Sequence, residues 1–201
     1  MDLLMIGLLG YVIGSVPFAL VIGQLFYATD VRCYGSGNLG ATNAGRVLGK
    51  VVGVTVMTLD LLKVTLVVYL STRLSDHPYA IACGGIAAAL GHCYPLLAGF
   101  RGGKAVAGLY GFLFGLWVYV GVAPTVFFVP LFTFWVILYL FKTVSLSGMV
   151  SAVAAAMWIG AMEVFPAAKL TVAVFAVLII LRHHENIHRI LRGTEAKVSW
   201  I

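Results

Sequence analysis

The sequence predicts an all-α fold, a polytopic integral membrane helical bundle of about seven transmembrane helices, formed by a single domain over residues 1–201. The first observation is composition: 62% of the 201 residues are hydrophobic and only 10% are charged, whereas a soluble domain carries roughly 25% charged residues. The second is a series of long apolar runs, and the third is the gathering of most basic residues in alternate loops. Disorder, a coiled coil and a nucleic-acid-binding domain are disfavoured by the same composition.

The apolar runs have the length of membrane spans, because about 20 mostly apolar residues cross a bilayer and the lower limit lies near 17. We expect spans at residues 3–26, 51–70, 79–98, 105–122, 125–141, 146–162 and 166–181. The chain opens Met1-Asp2, with an acid where a signal peptide has basic residues. We therefore expect the first run to remain as a span.

The fourth and fifth spans come from one run, since no charged residue lies between residues 105 and 141. That run is too long for one ordinary helix, and Gly121 and Pro124 supply a break near its middle. Two short spans joined by a tight turn are therefore predicted. The split decides on which side of the membrane the last basic segment lies.

The basic residues orient the chain, because cytoplasmic loops carry the excess of Lys and Arg. With seven spans, one face holds Arg32, Arg46, Lys50, Arg101, Lys104, Lys142, Arg182, Arg189, Arg192 and Lys197, and the other holds Arg73 and Lys169. The N-terminus is then outside and the C-terminus cytoplasmic. The net charge of +6 indicates basic loops beside anionic lipid, not nucleic acid as a partner.

No metal, cofactor or disulfide is predicted. Cys33, Cys83 and Cys93 form no C-x-x-C pair and lie in or beside apolar segments. On a helix, His184 and His188 would share a face, but no third ligand accompanies them.

The first polar segment, residues 35–50, combines backbone freedom with hydrogen-bond donors. Its glycines are Gly35, Gly37, Gly40 and Gly45, its polar side chains are Ser36, Asn38, Thr42 and Asn43, and Arg46 adds a planar charge. Converging backbone N–H groups and a guanidinium are what a phosphate monoester requires. A flexible loop with a helix cap is the alternative. The glycine spacing is not that of a Walker A loop.

The second polar segment, residues 91–104, ends with Arg101, Gly102, Gly103 and Lys104 at the mouth of the fourth span. A helix that begins there would direct its free N–H groups and its dipole at a bound phosphate. Ordinary positive-inside charges are the alternative. His92 lies deeper on an apolar helix, where a local hydrogen bond is a commoner role than catalysis.

Two further polar segments follow. In residues 142–148, Ser145 and Ser147 either cap the next span or contact substrate. Residues 182–195 contain Asn186, Arg189 and Glu195, and a basic helix that holds lipid phosphates is the alternative there. Within the second span, Asp60 and Lys63 are expected to pair with each other or to line a polar entrance, because charges inside a membrane need a partner or a task.

These segments resemble the bacterial acyl-phosphate:glycerol-3-phosphate acyltransferase family of polytopic membrane enzymes over nearly the whole chain. The resemblance rests on S-G-N-L-G-A-T-N-A-G-R-V-L-G at residues 36–49 with L-D-L-L-K at 59–63, on G-H-C-Y-P with F-R-G-G-K-A-V-A within 91–107, and on N-I-H-R-I-L-R-G-T-E at 186–195. Two departures concern the loops: the family usually has Pro where Leu39 stands, and Gly-Val-Ala-Thr where this chain has Ala-Val-Ala-Gly at 105–108.

The resemblance implies transfer of a long acyl chain from acyl phosphate to the 1-hydroxyl of sn-glycerol 3-phosphate, without a cofactor, in phospholipid synthesis at the bacterial cytoplasmic (inner) membrane. The active site would face the cytoplasm, and the partners would be the two substrates and the lipid bilayer. The residues agree with an activated donor. None of the five histidines is followed five positions later by an acid, so the H-x4-D base of acyl-CoA-type acyltransferases is missing, and no G-x-S-x-G elbow occurs.

We hypothesise that the 35–43 loop cradles the acyl phosphate and that Arg46 and Lys104, with Asn186 and Arg189, hold glycerol 3-phosphate. The hydroxyl proton would go to the substrate's own phosphate, to His92 or to His188. The residues expected to take part in catalysis are Ser36, Arg46, His92, Lys104 and His188, and those expected to bind substrate are Gly35, Gly37, Asn38, Gly40, Thr42, Asn43, Arg101, Gly102, Gly103, Ser145, Ser147, Asn186, Arg189 and Glu195. An organic-phosphate transporter is the rival function, but such proteins usually carry inverted repeats and bind near the midplane.

Overall fold

The computed structural model describes residues 2–198, and within that range it is all-helical, as predicted. Ten α-helices follow one another: α1 (Leu3–Gly14), α2 (Phe18–Tyr27), α3 (Ala41–Leu48), α4 (Lys50–Leu74), α5 (Ala80–Cys93), α6 (Val106–Val120), α7 (Thr125–Phe141), α8 (Val144–Ala161), α9 (Pro166–Arg182) and α10 (His184–Leu191). Single 3₁₀ turns lie at Val31–Cys33 and Leu96–Ala98.

The first predicted span contains two helices rather than one. Pro17 has no backbone N–H and cannot continue a helix from its interior, so α1 ends at Gly14 and α2 begins at Phe18. The break leaves the carbonyl of Val16 available, and Lys63 of α4 donates a hydrogen bond to it over 2.9 Å. The apolar run nevertheless continues through both helices.

The other predicted spans each contain one main helix. The segments long and apolar enough to cross a membrane are Leu3–Tyr27, α4, Ala80–Ala98 and α8, and α9 joins them if it is counted with α10, to which it is bent by 57°. The predicted break is present, since α6 ends at Val120 and α7 begins at Thr125. These two helices have only 15 and 17 residues, so the seven-span count and the orientation of the termini stay predictions.

The core lies where α4, α5, α6, α8 and α9 meet. Leu109, Phe112 and Leu113 of α6 and Phe175 of α9 are fully buried there. Small residues allow close approach at its edge, because a side chain on Gly14 of α1 would collide with the backbone of α5. Such close contacts are the usual source of helix association in a bilayer, where burial from water gives little.

Two short helices lie outside the apolar bundle and build the site. The first polar segment is a loop only as far as Gly40; from residue 41 it forms α3, which packs on α4. Residues 184–191 form α10, where Arg189 lies 3.7 Å from Glu185 one turn earlier.

Candidate active site

The loop before α3 is folded around one buried amide. The side chain of Asn43 accepts a hydrogen bond from the Ser36 N–H at 2.8 Å and donates to the carbonyls of Val31 and Tyr34 at 3.0 and 3.2 Å. Gly35 has a φ of 60°, and a side chain there would collide with that amide. The amide of Asn43 is therefore occupied in shaping the loop, while the Ser36 side chain stays exposed.

Asn38 joins the first polar segment to the second. Its carbonyl oxygen accepts a hydrogen bond from the Gly40 N–H at 2.9 Å, and its NH₂ group donates to the Gly102 carbonyl at 3.1 Å. Helix α3 begins directly after Gly40, so the N–H groups of Ala41 and Thr42 have no partner within the helix. The first turn of α3 thus presents free donors beside Ser36.

The second segment is a turn that fixes Lys104. Arg182 donates to the carbonyls of Gly102 and Gly103 at 3.3 and 3.2 Å, and its guanidinium lies 5.1 Å from the centre of the Tyr94 ring. Ala105 then takes the left-handed conformation, with φ 61°, and α6 starts at the next residue. Glycine adopts that conformation without strain, whereas the side chain of Ala105 makes it less favourable.

Lys104 itself is half-buried and donates a hydrogen bond to the side-chain oxygen of Asn186. Burial and, to a smaller extent, the nearby charge of Arg189 lower the pKa of Lys104 to about 8, against the opposing effect of Glu195. The amine is therefore a cation at neutral pH and loses its charge when the pH rises above about 8.

Glu195 ties α8, α10 and the C-terminal segment together. One carboxylate oxygen accepts hydrogen bonds from Ser145 and Asn186, both at 2.6 Å, and the other accepts from Arg189 at 2.7 Å. Burial by itself raises the pKa of Glu195, but these hydrogen bonds outweigh it and hold the pKa below its ordinary value. Because Asn186 also binds Lys104, the carboxylate positions the cation indirectly.

The structure adds His183, which the sequence did not single out. Its ring is buried at the end of α9, and Nδ1 lies 2.8 Å from the Ile179 carbonyl. A carbonyl can only accept, so Nδ1 carries the proton and Nε2 is left as an acceptor. Burial lowers the pKa of His183 to about 4, against the opposing effect of its backbone hydrogen bond. In the sequence, nothing in the run of histidines at 183–188 distinguishes this one.

A cavity of about 430 Å³ collects these groups. Its polar wall carries hydroxyl, amide, basic and acidic side chains, and its apolar wall is formed by α4, α6 and α7. The polar wall includes Ser36, Asn38, Gly40, Thr42, Asn43, Arg46, Asp60, His92, Lys104, Ser145, His183, Asn186, Arg189 and Glu195, and the apolar wall includes Met57, Leu61, Val106, Tyr110, Phe127, Leu131, Phe134 and Trp135. The shape and chemistry fit an anionic head group joined to a hydrocarbon chain.

Some predicted site residues do not line this cavity. They are Gly35, Gly37, Arg101, Gly102, Gly103, Ser147 and His188. The glycines shape the two loops, and Ser147 is buried and donates to the Thr143 carbonyl one turn earlier in the chain at 2.9 Å. Arg101 and His188 have exposed side chains outside the cavity.

The described residues offer no metal centre, since nowhere in 2–198 do three His, Cys, Asp or Glu side chains converge suitably. The predicted pairing of Asp60 with Lys63 is confirmed: the carboxylate and the amine lie 2.6 Å apart and are buried.

A bundle of apolar helices that contains a cavity with one polar and one apolar wall indicates an integral membrane protein with a site for an anionic amphiphile. The family model described as glycerol-3-phosphate acyltransferase matches residues 4–193. A glycerol-3-phosphate acyltransferase of Listeria monocytogenes serotype 4a (strain HCC23) is 43% identical over 206 residues, covering 100% of this chain and 98% of that protein. One of Staphylococcus carnosus (strain TM300) is 39% identical over 203 residues, covering 96% of each.

Solved structures agree with these relatives. The crystal structure of PlsY (YgiH), an integral membrane glycerol 3-phosphate acyltransferase, in its glycerol 3-phosphate form superposes with a TM-score of 0.89 at 34% identity, over 98% of this chain and 96% of that one. Its lysophosphatidic acid form gives a TM-score of 0.86 at 33% identity, over 98% and 95%. The chain belongs to the glycerol-3-phosphate acyltransferase family.

Proposed function

We propose that this enzyme moves a fatty acyl group from acyl phosphate to the 1-hydroxyl of sn-glycerol 3-phosphate, releasing 1-acylglycerol 3-phosphate (lysophosphatidic acid) and inorganic phosphate. Acyl transfer to glycerol 3-phosphate follows from membership of the family. The choice of acyl phosphate as the acyl donor rests on one observation. A single cavity places hydrogen-bond donors for two phosphate groups next to an apolar wall.

Two groups of donors supply the two anion sites. Ser36 and the first turn of α3 form one group, and Arg46, Lys104, Asn186 and Arg189 form the other. Helix N-termini and guanidinium groups both favour phosphate. We assign the acyl phosphate to the first group and glycerol 3-phosphate to the second.

The acyl chain lies along the apolar wall between α4 and α7. Met57 of α4 and Trp135 of α7 line the cavity, yet they remain 47% and 50% exposed, so they form its outer rim. A chain leaving the cavity there enters lipid directly. This arrangement allows the donor and the lysolipid product to move between the bilayer and the site without crossing water.

The reaction needs positioning and charge stabilisation more than a strong base. The hydroxyl oxygen of glycerol 3-phosphate attacks the acyl carbon, an ester bond forms, and the bond from that carbon to the phosphate oxygen breaks with its electron pair on phosphate. Basic side chains and N–H groups stabilise the departing charge. The hydroxyl proton passes to the substrate's own phosphate or to a histidine, for which the free Nε2 of His183 is better placed than the exposed His188.

The test is a reconstitution with defined donors. Purified protein in detergent is given glycerol 3-phosphate and one donor, which is acyl phosphate, acyl-CoA or acyl-loaded acyl carrier protein, and both the lysolipid and the released phosphate are measured. We expect the lysolipid and phosphate to form in equal amounts when acyl phosphate is the donor, and no lysolipid from either thioester. Product formed only from a thioester would contradict the donor assignment, and no product from any donor would favour transport of an organic phosphate.

The site is proposed to face the cytoplasm of a bacterial inner membrane, on the basis of the basic loops. Single cysteines introduced at Lys50 and Lys197 should be shielded from an impermeant thiol reagent in intact cells and labelled after lysis, provided that the native cysteines are replaced. A cysteine at Glu163, on the opposite side, should be labelled in intact cells. The reverse pattern would invert the topology.

A further inference from the structure

Three buried polar residues lie beneath the Gly102–Gly103 turn. Asp60 and Lys63 of α4 form an ion pair at 2.6 Å, and His92 of α5 lies with Nδ1 3.6 Å from the same Asp60 oxygen. All three side chains are nearly inaccessible. Ionisable groups within an apolar bundle are disfavoured unless they are paired, and their presence usually marks a functional constraint.

Lys63 is held from two further directions. Its amine donates to the Val16 carbonyl at 2.9 Å and lies 5.5 Å from the centre of the Phe18 ring. The carboxylate of Asp60 is therefore neutralised by a cation that is anchored at the break between α1 and α2. Such a carboxylate is held in place and is poorly suited to take a proton.

His92 contacts both Asp60 and the Gly102–Gly103 turn. The Gly103 N–H donates to the His92 carbonyl at 3.0 Å. On the side-chain level, a Cβ at Gly103 would collide with the His92 ring, and Nε2 is the atom it would meet first. The ring thus lies between Asp60 and Gly103, immediately before Lys104.

We propose that Asp60 and Lys63 are positioning residues that act through His92 to hold the Gly102–Lys104 turn, and so set the affinity for glycerol 3-phosphate. The inference depends on the proposed function, in which Lys104 binds that substrate. It assigns His92 a positioning role, in place of the catalytic one predicted from the sequence.

Two double variants separate positioning from charge. Asp60→Leu with Lys63→Met removes the ion pair and the polar group that faces His92 Nδ1, whereas Asp60→Asn with Lys63→Met removes the same pair but keeps a polar oxygen facing His92. Replacing both partners avoids the unpaired buried charge that single replacements leave. The difference between the two variants therefore measures the contact with His92.

We expect the Leu-containing variant to show a KM for glycerol 3-phosphate roughly two- to five-fold above that of the Asn-containing variant, because the polar contact with His92 is longer than a hydrogen bond and contributes less than one. The KM for acyl phosphate and kcat should differ by less than two-fold between them. Equal KM values in two folded variants would overturn the inference, as would a loss confined to kcat, which indicates catalysis.

A second pair of variants applies if the Leu-containing protein does not fold. Gly103→Ala should raise the KM for glycerol 3-phosphate. His92→Asn removes the ring atoms nearest Gly103, so adding it to Gly103→Ala should lower the KM part of the way back. If the two substitutions simply multiply their separate effects on KM, the inference is overturned. Failure of the proposed function is recognised separately, because the wild-type protein would then release no phosphate from acyl phosphate.

Discussion

Replacing Glu195 by Gln should destabilise the C-terminal part of the site. The carboxylate accepts from Ser145 and Asn186 on one oxygen and from Arg189 on the other. Glutamine keeps a single acceptor oxygen, which can serve Ser145 and Asn186. Its NH₂ group must then face the Arg189 Nε–H, so that donor loses its partner and meets a second donor.

The magnitude follows from that one lost bond. A hydrogen bond to a charged group contributes about 1.5–3 kcal/mol, and Arg189 is partly exposed and remains 3.7 Å from Glu185, so water and that neighbour offset part of the loss. We expect a decrease of about 2 kcal/mol in unfolding free energy. For a chain of this size, that corresponds to a Tm lower by about 4–8 °C.

Thermal unfolding in detergent at pH 7, followed by tryptophan fluorescence, measures this loss. Glu163→Gln is the matched control, because that side chain is exposed in the turn between α8 and α9. The pH dependence gives an internal check: with its pKa lowered in the fold, Glu195 stabilises the protein above its unfolded pKa, and this stability is lost as pH falls through the folded value. Equal Tm values for the two variants would refute the reasoning.

Three other predictions concern activity. Arg46→Ala should lower kcat/KM for glycerol 3-phosphate about 10- to 100-fold, the loss of one charged hydrogen bond. Arg192 is exposed and lies outside the cavity, so Arg192→Ala should change kcat/KM less than two-fold. Similar losses in both variants would contradict the assignment. Because the pKa of Lys104 is about 8, its charge is lost above that pH. The KM for glycerol 3-phosphate should therefore rise above about pH 8 in wild type but not in Lys104→Arg. The same rise in both proteins would exclude Lys104 as its source. His183→Asn keeps a donor for the Ile179 carbonyl but removes Nε2, and we expect kcat to fall about 100-fold; a drop below ten-fold would assign the proton to the substrate phosphate.

The sequence was sufficient for the helical class and for the order of the apolar segments, because composition and run length are properties of the chain alone. It placed the break at Gly121 and Pro124, since both residues interrupt helices for local reasons. It missed the division at Pro17, although a proline inside an apolar run interrupts a helix for the same local reason as Pro124. A run of hydropathy cannot show whether one helix or two occupy it.

Site residues were predictable by type more than by role. Asn43 and Glu195 have the donors and acceptors expected of substrate ligands, but in the fold their hydrogen bonds hold the loop and α10. The sequence analysis selected His188 and not His183, but in the fold the His183 ring at the end of α9 is buried and His188 on α10 is exposed. These outcomes depend on contacts between distant segments, which local patterns do not specify.

The shortness of α6 has a consequence for the surrounding lipid. A helix of 15 residues is about 22 Å long, whereas the hydrocarbon layer is about 30 Å thick. If α6 and α7 cross the membrane as a hairpin, local thinning of the bilayer beside them is one way in which the hydrocarbon layer matches their short apolar length. Trp135 of this hairpin and Met57 of α4 form the rim of the cavity. A thinner bilayer there would bring lipid head groups closer to the point where the acyl chain is proposed to leave the cavity. Membrane thickness would then act on this enzyme as a variable of substrate delivery.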